Sequence, residues 1–480
     1  MERSFQEMEA ESMKEDTKKL FDNTPVSRAV IKLALPLVIS QIILVIYNMA
    51  DTFFIGLTGQ VTSITAVTIC MPPFMFLSAI ANLFGVGGST TISRALGRKR
   101  TGRAENASAF AFYGCLLVTA LYCTGVWLLR DSFLNVLGGR NEVVHTQAVK
   151  YMVVTVCFGG LFTSMSSMLA NLVRAEGRSA ESGAGIVLGG VLNILLDPLF
   201  MFVILPKGNE VLGAGIATAL SNVISFLYFV ILIHVLQKKG SCIQFHLNST
   251  AFEDGTFREI FMTGMPAFTM TLMENISYAV LDALIASAGT DVQAGIGVAK
   301  KVNMLAHSIA RGISQGVLPL IAYAYGSRDF KRMKSVIRFS STLAVVFALA
   351  AMTINLIFAR ELTGIFLPEG PSLIYAEKFL RILTIGCPFS AFAYSIISFF
   401  QAVNNGRKSF ILALLRKGIV DIPLMFILNL TRSADAVVWA TPITDILSCA
   451  VAVILFEQSL LYLEQKFETK ASYKAPANSF

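Results

Sequence analysis

The chain has 480 residues, of which 54% are hydrophobic and only 15% are charged, and its mean hydropathy is +0.65. Soluble domains carry roughly a quarter charged residues, so this composition excludes an ordinary soluble fold. The formal net charge of +8 could suggest a nucleic-acid partner. In so apolar a chain, basic loops beside a membrane explain the charge better, and we expect no nucleic-acid partner.

Apolar runs of twenty or more residues recur along the chain, and each is long enough to cross a hydrocarbon core of ~30 Å as a helix. Helices are the expected spanning structure because no water satisfies the backbone inside a bilayer. Polar breaks divide the chain into twelve predicted spans, at 29–56, 64–93, 106–129, 147–173, 182–205, 211–236, 259–288, 293–324, 336–358, 374–402, 409–430 and 436–460. The first twenty residues contain no apolar run and predict no cleaved signal peptide.

Basic residues collect in the loops on one side of the predicted spans. Five lie in 94–103 after the second span, and five lie in 328–338 after the eighth. Because cytoplasmic loops carry an excess of Lys and Arg, both loops are predicted to be cytoplasmic. An even number of spans then leaves both termini in the cytoplasm, and the lipid bilayer is the expected environment.

The chain contains an internal repeat with an almost constant offset. Three motifs recur 230, 229 and 229 residues later: Ala-Leu-Pro36 as Gly-Met-Pro266, Ala-Leu-Gly97 as Ala-Tyr-Gly326, and Glu-Gly177-Arg as Asn-Gly406-Arg. Each half has six spans, so the halves share one topology about a pseudo-two-fold axis along the membrane normal, with substrate expected between them. The predicted organisation is an N-terminal segment 1–28, an N-lobe 29–236, a cytoplasmic linker 237–258, a C-lobe 259–460 and a cytoplasmic tail 461–480.

Six motifs in order give the sequence its resemblance to a known family. They are ALPLVISQ with YNMADTFFIG in span 1, GGSTTISRALG closing span 2, RAEGRSAESG before span 5, GGVLNILLDPLFMF in span 5, GAGIAT in span 6, and SQGVLPLIAYAYG in span 8. The chain resembles the multidrug and toxic compound extrusion (MATE) family of the multidrug/oligosaccharidyl-lipid/polysaccharide exporter superfamily, nearest its MepA-like bacterial branch. The resemblance covers almost the whole chain.

The resemblance implies an all-α membrane protein whose two six-helix bundles form a V around a central cavity. It further implies a monomeric antiporter in the bacterial cytoplasmic membrane, which exports small organic compounds in exchange for Na⁺ or H⁺ by alternating access. No cofactor and no enzymatic activity are expected.

In the predicted N-lobe, Asp51 lies on span 1, and Asn193 and Asp197 lie four residues apart on one face of span 5. Intramembrane acids tend to mark ion paths, although Asp51 could also reach the outer interface and the span-5 pair could simply hold helices together. The resemblance places these three residues and Thr218 at the family's polar cluster, which implies a cation-coupling site. Such a cluster can hold a proton or a Na⁺ ion with oxygen ligands at Asp51, Asn193 and Asp197.

In the predicted C-lobe, Glu274, Tyr278 and Asp282 follow at four-residue spacing on span 7 and are candidates for the substrate cavity. Glu274 matches an acid of NorM-like family members, but span 10 lacks the acid that those members carry. This departure argues against a second Na⁺ site. Asp421 and Asp445 are expected to be structural or near a helix end.

Span 8 presents Lys300, His307 and Arg311 on one predicted face. One interpretation is that Lys300 reaches the headgroups and Arg311 pairs with an acid of span 7, either Glu274 or Asp282. The other is that these cations line the cavity and favour anionic or zwitterionic cargo.

Other functions of membrane proteins need sequence features of their own. A membrane-embedded transferase would need a catalytic motif or nucleotide loop, and the external loops are too short to house a site. A channel is disfavoured because no filter-like segment accompanies the repeat. The nearer alternative is a lipid-linked oligosaccharide flippase of the same superfamily, which Arg311 leaves open and which would need a more cationic cavity.

Overall fold

The structure is a computed structural model that describes residues 18–136, 141–246, 255–431 and 433–472. These residues form twelve helical elements and no strand. The elements are α1 Val26–Gly56, α2 Val61–Gly97, α3 Thr101–Val136, α4 Glu142–Ala175, α5 Ser179–Ile204, α6 Glu210–Lys238, α7 Thr256–Ala286, α8 Thr290–Ser327, α9 Phe330–Ile357, α10 Pro371–Thr384 with Cys387–Ala402, α11 Gly406–Leu414 with Asp421–Asn429, and α12 Ala434–Ser472. Two short helices, Lys19–Asn23 and Ala359–Gly364, lie outside this series.

Each predicted span corresponds to one of these elements, and the predicted all-α membrane fold is confirmed. Local signals explain several boundaries and breaks. The Asn141 side chain accepts hydrogen bonds from the backbone N–H groups of Val143 and Val144 and so caps α4. The two segments of α10 are bent by 46°, and a π-helical stretch, Leu415–Ile419, joins the two parts of α11.

Hydropathy alone identifies fewer spans than the fold contains. Within the described residues, eight helices are long and apolar enough to cross a membrane, and the bent α10 makes a ninth. Helices α7 and α8 fall below that level because both carry polar and charged side chains, and α11 is interrupted.

The predicted segments 1–28, 237–258 and 461–480 include residues 1–17, 247–254 and 473–480, which lie outside the described residues. Helix α12 runs on to Ser472, past the predicted end of span 12 at residue 460.

The two halves of the chain form two bundles. In the first, α2 packs against α3 and α4, and α5 packs against α1 and α6. In the second, α8 packs against α9 and α10, and α10 packs against α12. The bundles meet where α2 packs against α7 and α1 packs against α8.

A close contact between the bundles involves the two glycines that the repeat predicted to be equivalent. A Cβ atom on Gly97 would lie 2.3 Å from the carbonyl oxygen of Tyr323, and one on Gly326 would lie 2.3 Å from the carbonyl oxygen of Arg94. Only glycine allows backbones to approach so closely. We call the region around Gly97 and Gly326 the closed end of the protein.

A buried arginine also joins the bundles at the closed end. Arg94 Nε donates to Glu259 Oε1 at 2.9 Å, and its Nη1 donates to the carbonyl oxygens of Gln401 and Ala402 at 2.9 and 3.0 Å. Arg103 Nη2 donates to the other carboxylate oxygen of Glu259 at 2.6 Å. Glu259 on α7 therefore links two basic residues of the first bundle to the second.

Candidate functional site

Beyond the closed end, a cavity of about 290 Å³ lies between the two bundles. Helices α1, α2, α4, α5 and α6 line it on one side, and α7 and α8 line it on the other. Apolar and aromatic side chains alternate on its wall with amides and hydroxyls. Among the described residues that line it, the charged ones are Arg174, Glu274 and Arg311. Such a wall suits an organic ligand.

A polar cluster in the first bundle contains the residues predicted as a cation site. Asn193 Nδ2 donates to Asp197 Oδ1 at 3.4 Å and to Thr218 Oγ1 at 3.3 Å. Asn193 and Thr218 line the cavity, whereas Asp197 lies behind them and is fully buried. Asp51 is also buried, and it lies close enough to Asp197 for their charges to interact. Asn193, Asp197 and Thr218 thus form one hydrogen-bonded group on α5 and α6, and Asp51 on α1 acts on it through its charge.

The cluster has oxygen atoms that lack hydrogen-bond donors. Asp51 Oδ1, Asn193 Oδ1 and Asp197 Oδ2 are each enclosed and have no hydrogen-bond partner among the described residues. Burying a carboxylate without a partner costs several kcal/mol. Three buried acceptor oxygens from two acids and an amide are the donor set that a proton or a Na⁺ ion would satisfy. The residues present therefore fit a bound cation.

The acid of the second bundle that faces the cavity already has a cationic partner. Arg311 Nη2 donates to both carboxylate oxygens of Glu274, at 2.8 and 2.7 Å, and the Tyr394 hydroxyl donates to Glu274 at 2.9 Å. Of the two acids of span 7 that the sequence offers Arg311, Glu274 and Asp282, the structure pairs it with Glu274, and a single guanidinium nitrogen bridges both carboxylate oxygens.

Two further ion pairs lie behind Glu274. Arg416 Nε donates to Asp445 Oδ1 at 3.0 Å, and Lys417 Nζ donates to Asp421 Oδ2 at 3.4 Å. The Arg416 guanidinium also lies 3.9 Å from the centre of the Tyr394 ring. Arg416 and Lys417 were not predicted as site residues. The signal that could have found them is two adjacent cations inside the predicted apolar span 409–430.

The predicted substrate residues divide between the cavity and its surroundings. Glu274, Tyr278 and Arg311 line the cavity. The others lie away from the described lining, which corrects the expectation that all six share it. Asp282 pairs with Lys300, and His307 Nδ1 lies 3.0 Å from the Ser390 hydroxyl within the second bundle. Helix α8 packs against both α1 and α10. Lys300, His307 and Arg311 therefore contact different neighbours, although the sequence places them on one face of this helix.

The acids of the two bundles therefore differ in their partners. In the second bundle Glu274, Asp282, Asp421 and Asp445 each contact a cation. In the first bundle no described cation forms an ion pair with Asp51 or Asp197, although Lys301 on α8 is close enough to Asp51 for their charges to interact. Two repeated helical bundles around a polar cavity, with unpaired acids on one side, define a two-lobed membrane transporter.

Comparison with known proteins places the chain in a family. A sequence model of the MatE family matches residues 36–199 and 266–427. The two matches start 230 residues apart (266 − 36), the offset found in the repeat. The multidrug export protein MepA of Staphylococcus saprophyticus is 30% identical over 92% of this chain and 96% of its own length. MepA of Staphylococcus aureus strain MRSA252 is 29% identical over the same shares of the two chains.

Solved structures share the fold. A crystal structure of a MATE protein in complex with MaL6 matches with a TM-score of 0.84 and 22% identity, covering 94% of this chain and 99% of that one. The chain belongs to the MatE family. It is a multi-pass cell-membrane transporter rather than an enzyme.

Proposed function

We propose that this protein is a secondary active antiporter that exports organic compounds across the bacterial cytoplasmic membrane in exchange for Na⁺ or H⁺. The observation that carries the proposal is the set of unpaired buried oxygens on Asp51, Asn193 and Asp197 beside a cavity lined by both bundles. The relatives named multidrug export proteins support organic compounds as the exported class.

The coupling follows from the free-energy cost of the unpaired acids. Asp51 and Asp197 are expensive to bury as carboxylates without an ion-pair partner, and a proton or a Na⁺ ion removes much of that cost. A ligand shifts a conformational equilibrium only by its difference in affinity for the two states. Cation entry at this cluster therefore favours one arrangement of the bundles, and cation release favours the other. Asn193 and Thr218 connect the cluster to the cavity wall, so cargo and cation influence the same helices.

Residues of the second bundle serve cargo binding in this proposal. Glu274 needs no further cation, because Arg311 and Tyr394 already contact it. With Tyr278 and Arg311 it forms a fixed polar wall against which an organic compound packs. Asp282, Lys300 and His307 act by holding α7, α8 and α10 in place.

The orientation follows from the basic loops. The basic stretches 94–103 and 328–338, around the ends of α2 and α8, lie at the closed end, so this end faces the cytoplasm. Both termini and the linker 237–258 then face the cytoplasm as well. With this side closed, the cavity is shut off from the cytoplasm, and a single chain supplies its lining.

A lipid-linked oligosaccharide flippase is the alternative from the same superfamily. It needs a strongly cationic cavity to hold a diphosphate. Because Glu274 neutralises Arg311, this cavity is less cationic than the sequence alone suggests. Translocation of a lipid-linked sugar, compared with efflux of a soluble compound, distinguishes the two functions.

Transport in proteoliposomes tests the proposal. Vesicles containing the purified protein are given a Na⁺ gradient and a proton gradient separately, and movement of a fluorescent organic cation such as ethidium is followed. One of the two gradients should drive transport against the dye gradient. Dye movement that neither gradient accelerates contradicts antiport.

A further inference from the structure

One buried cation in the cavity has no acid to balance it. Among the described residues, four Lys or Arg side chains are more than nine-tenths buried. Three of them, Arg94, Arg416 and Lys417, each contact a carboxylate. The fourth is Arg174, which lies in the last turn of α4, is only 4% exposed and lines the cavity. It forms no ion pair with any described residue.

The hydrogen bonds of Arg174 are also incomplete. Its Nη2 donates to Asn171 Oδ1 at 2.9 Å, whereas its Nε is enclosed and has no acceptor among the described residues. A guanidinium has five N–H donors and no acceptor. Its two Nη groups carry four of these N–H donors, and the bond to Asn171 uses one of them, so donors remain for a ligand.

The position of Arg174 at the end of α4 does not by itself explain why an unpaired charge is buried there. A cation in the last turn of a helix gains about 0.3–1 kcal/mol from the helix dipole, which is less than the several kcal/mol that burial of an unpaired charge costs. The internal repeat supports the same conclusion. The equivalent position in the second bundle, 229 residues later, is Val403, and the turn before Gly406 forms there without an arginine.

The rest of the cavity defines what the ligand would be. Because Glu274 balances Arg311, the charge left over among the described lining residues is the single positive charge of Arg174. Phe74, Met270 and Met304 provide apolar surface in the same cavity, on the helices of both bundles. This combination suits an amphiphilic compound with an apolar body and one anionic group.

We infer that Arg174 binds the carboxylate of an exported organic anion or zwitterion. A guanidinium can hold a carboxylate through two parallel hydrogen bonds, as its planar shape allows. The inference rests on the proposed export function, because it assigns a class of cargo to the same cavity. A lipid phosphate has related chemistry and is the alternative source of the anion.

A matched pair of dyes tests the inference. Rhodamine 110 carries a free carboxylate, and rhodamine 123 is its methyl ester. Binding of each to the purified protein is measured by fluorescence anisotropy for wild type, Arg174→Gln, Arg174→Lys and the control Arg178→Gln. Arg178 is near in sequence but pairs with Glu181 and lies outside the described lining of the cavity.

Wild type should bind rhodamine 110 more tightly than rhodamine 123. Arg174→Gln should weaken rhodamine 110 by about tenfold or more, the usual effect of losing a hydrogen bond to a charged group, and leave rhodamine 123 within about twofold. Arg174→Lys should retain part of the preference, and Arg178→Gln all of it. If Arg174→Gln loses affinity for both dyes equally, or loses affinity for neither, the inference is overturned.

One fallback and one further measurement keep the outcome decisive. If Arg174→Gln does not fold, the wild-type preference and its partial retention in Arg174→Lys decide the matter, and a wild type without preference overturns the inference. Phospholipid that copurifies with wild type but not with Arg174→Gln would also overturn it, in favour of a lipid phosphate.

Failure of the proposed function is recognised separately. Thermal stabilisation of the purified protein by the carboxylate 1-naphthoate tests the anion site without requiring transport. If wild type is stabilised and Arg174→Gln is not, the anion site stands even where no gradient drives ethidium. If ethidium is exported but naphthoate stabilises neither protein, the anion site alone is contradicted.

Discussion

Replacing Glu259 by glutamine should weaken the closed end. Glu259 accepts hydrogen bonds from Arg94 at 2.9 Å and from Arg103 at 2.6 Å, and Arg94 is 1% exposed. Breaking a buried ion pair by removing one charge costs about 3–5 kcal/mol. Glutamine keeps an acceptor for Arg94, so we take the lower figure, about 3 kcal/mol. The carbonyl contacts of Arg94 to α10 remain.

This energy acts on the balance between the two arrangements of the bundles. Because 1.4 kcal/mol is a factor of ten, about 3 kcal/mol shifts the balance by about a hundredfold toward opening of the closed end. Spin labels at the exposed positions Thr101 and Lys331, one on each bundle, report this opening through their distance distribution. Glu259→Gln should add a population at longer distance.

The matched control is Glu181→Gln, which breaks a half-exposed ion pair with Arg178. Exposed pairs contribute about 0–1 kcal/mol, so this variant should keep the wild-type distances. A distance distribution for Glu259→Gln that equals that of wild type, in a folded protein, refutes the view that Glu259 holds the closed end together.

Two further predictions concern charge pairing and topology. Arg311→Ala should lower the yield of folded protein, because it leaves Glu274 without its cationic partner. Adding Glu274→Gln should restore much of that yield. If Arg311→Ala folds normally and loses transport selectively, the arginine binds cargo instead. In a cysteine-free background in intact cells, cysteines at Lys18 and His246 should resist an impermeant thiol reagent, whereas one at Lys207 should react; labelling at either of the first two positions would show that the topology is wrong.

The apolar runs and the repeat predicted the fold well because both can be read from the sequence without knowing how the helices pack. The twelve spans appear as α1 to α12, and the equivalence of Gly97 and Gly326 reappears as reciprocal contacts at the closed end. The pairing of Arg311 with an acid of span 7 was predictable for a similar reason. A charge in mid-span needs compensation, and neighbouring antiparallel helices supply it.

Other parts of the site depend on which helices face each other, and one sequence does not contain that information. His307 shares a predicted face with Arg311 but contacts Ser390 on α10, away from the described lining of the cavity. Arg174 lies at the end of a predicted span, where a cation is ordinarily solvated. Its burial became visible only once the packing of α4 around the cavity was known.

The central claim is that the unpaired acids of the first bundle couple cation entry to export. Its most direct test is gradient-driven efflux in proteoliposomes by Asp51→Asn and Asp197→Asn, with the exposed Asp131→Asn as control. Both cluster variants should fold and lose the response to the driving gradient, and Asp131→Asn should keep it. Full gradient-driven transport by either cluster variant, at wild-type protein levels, would contradict the account.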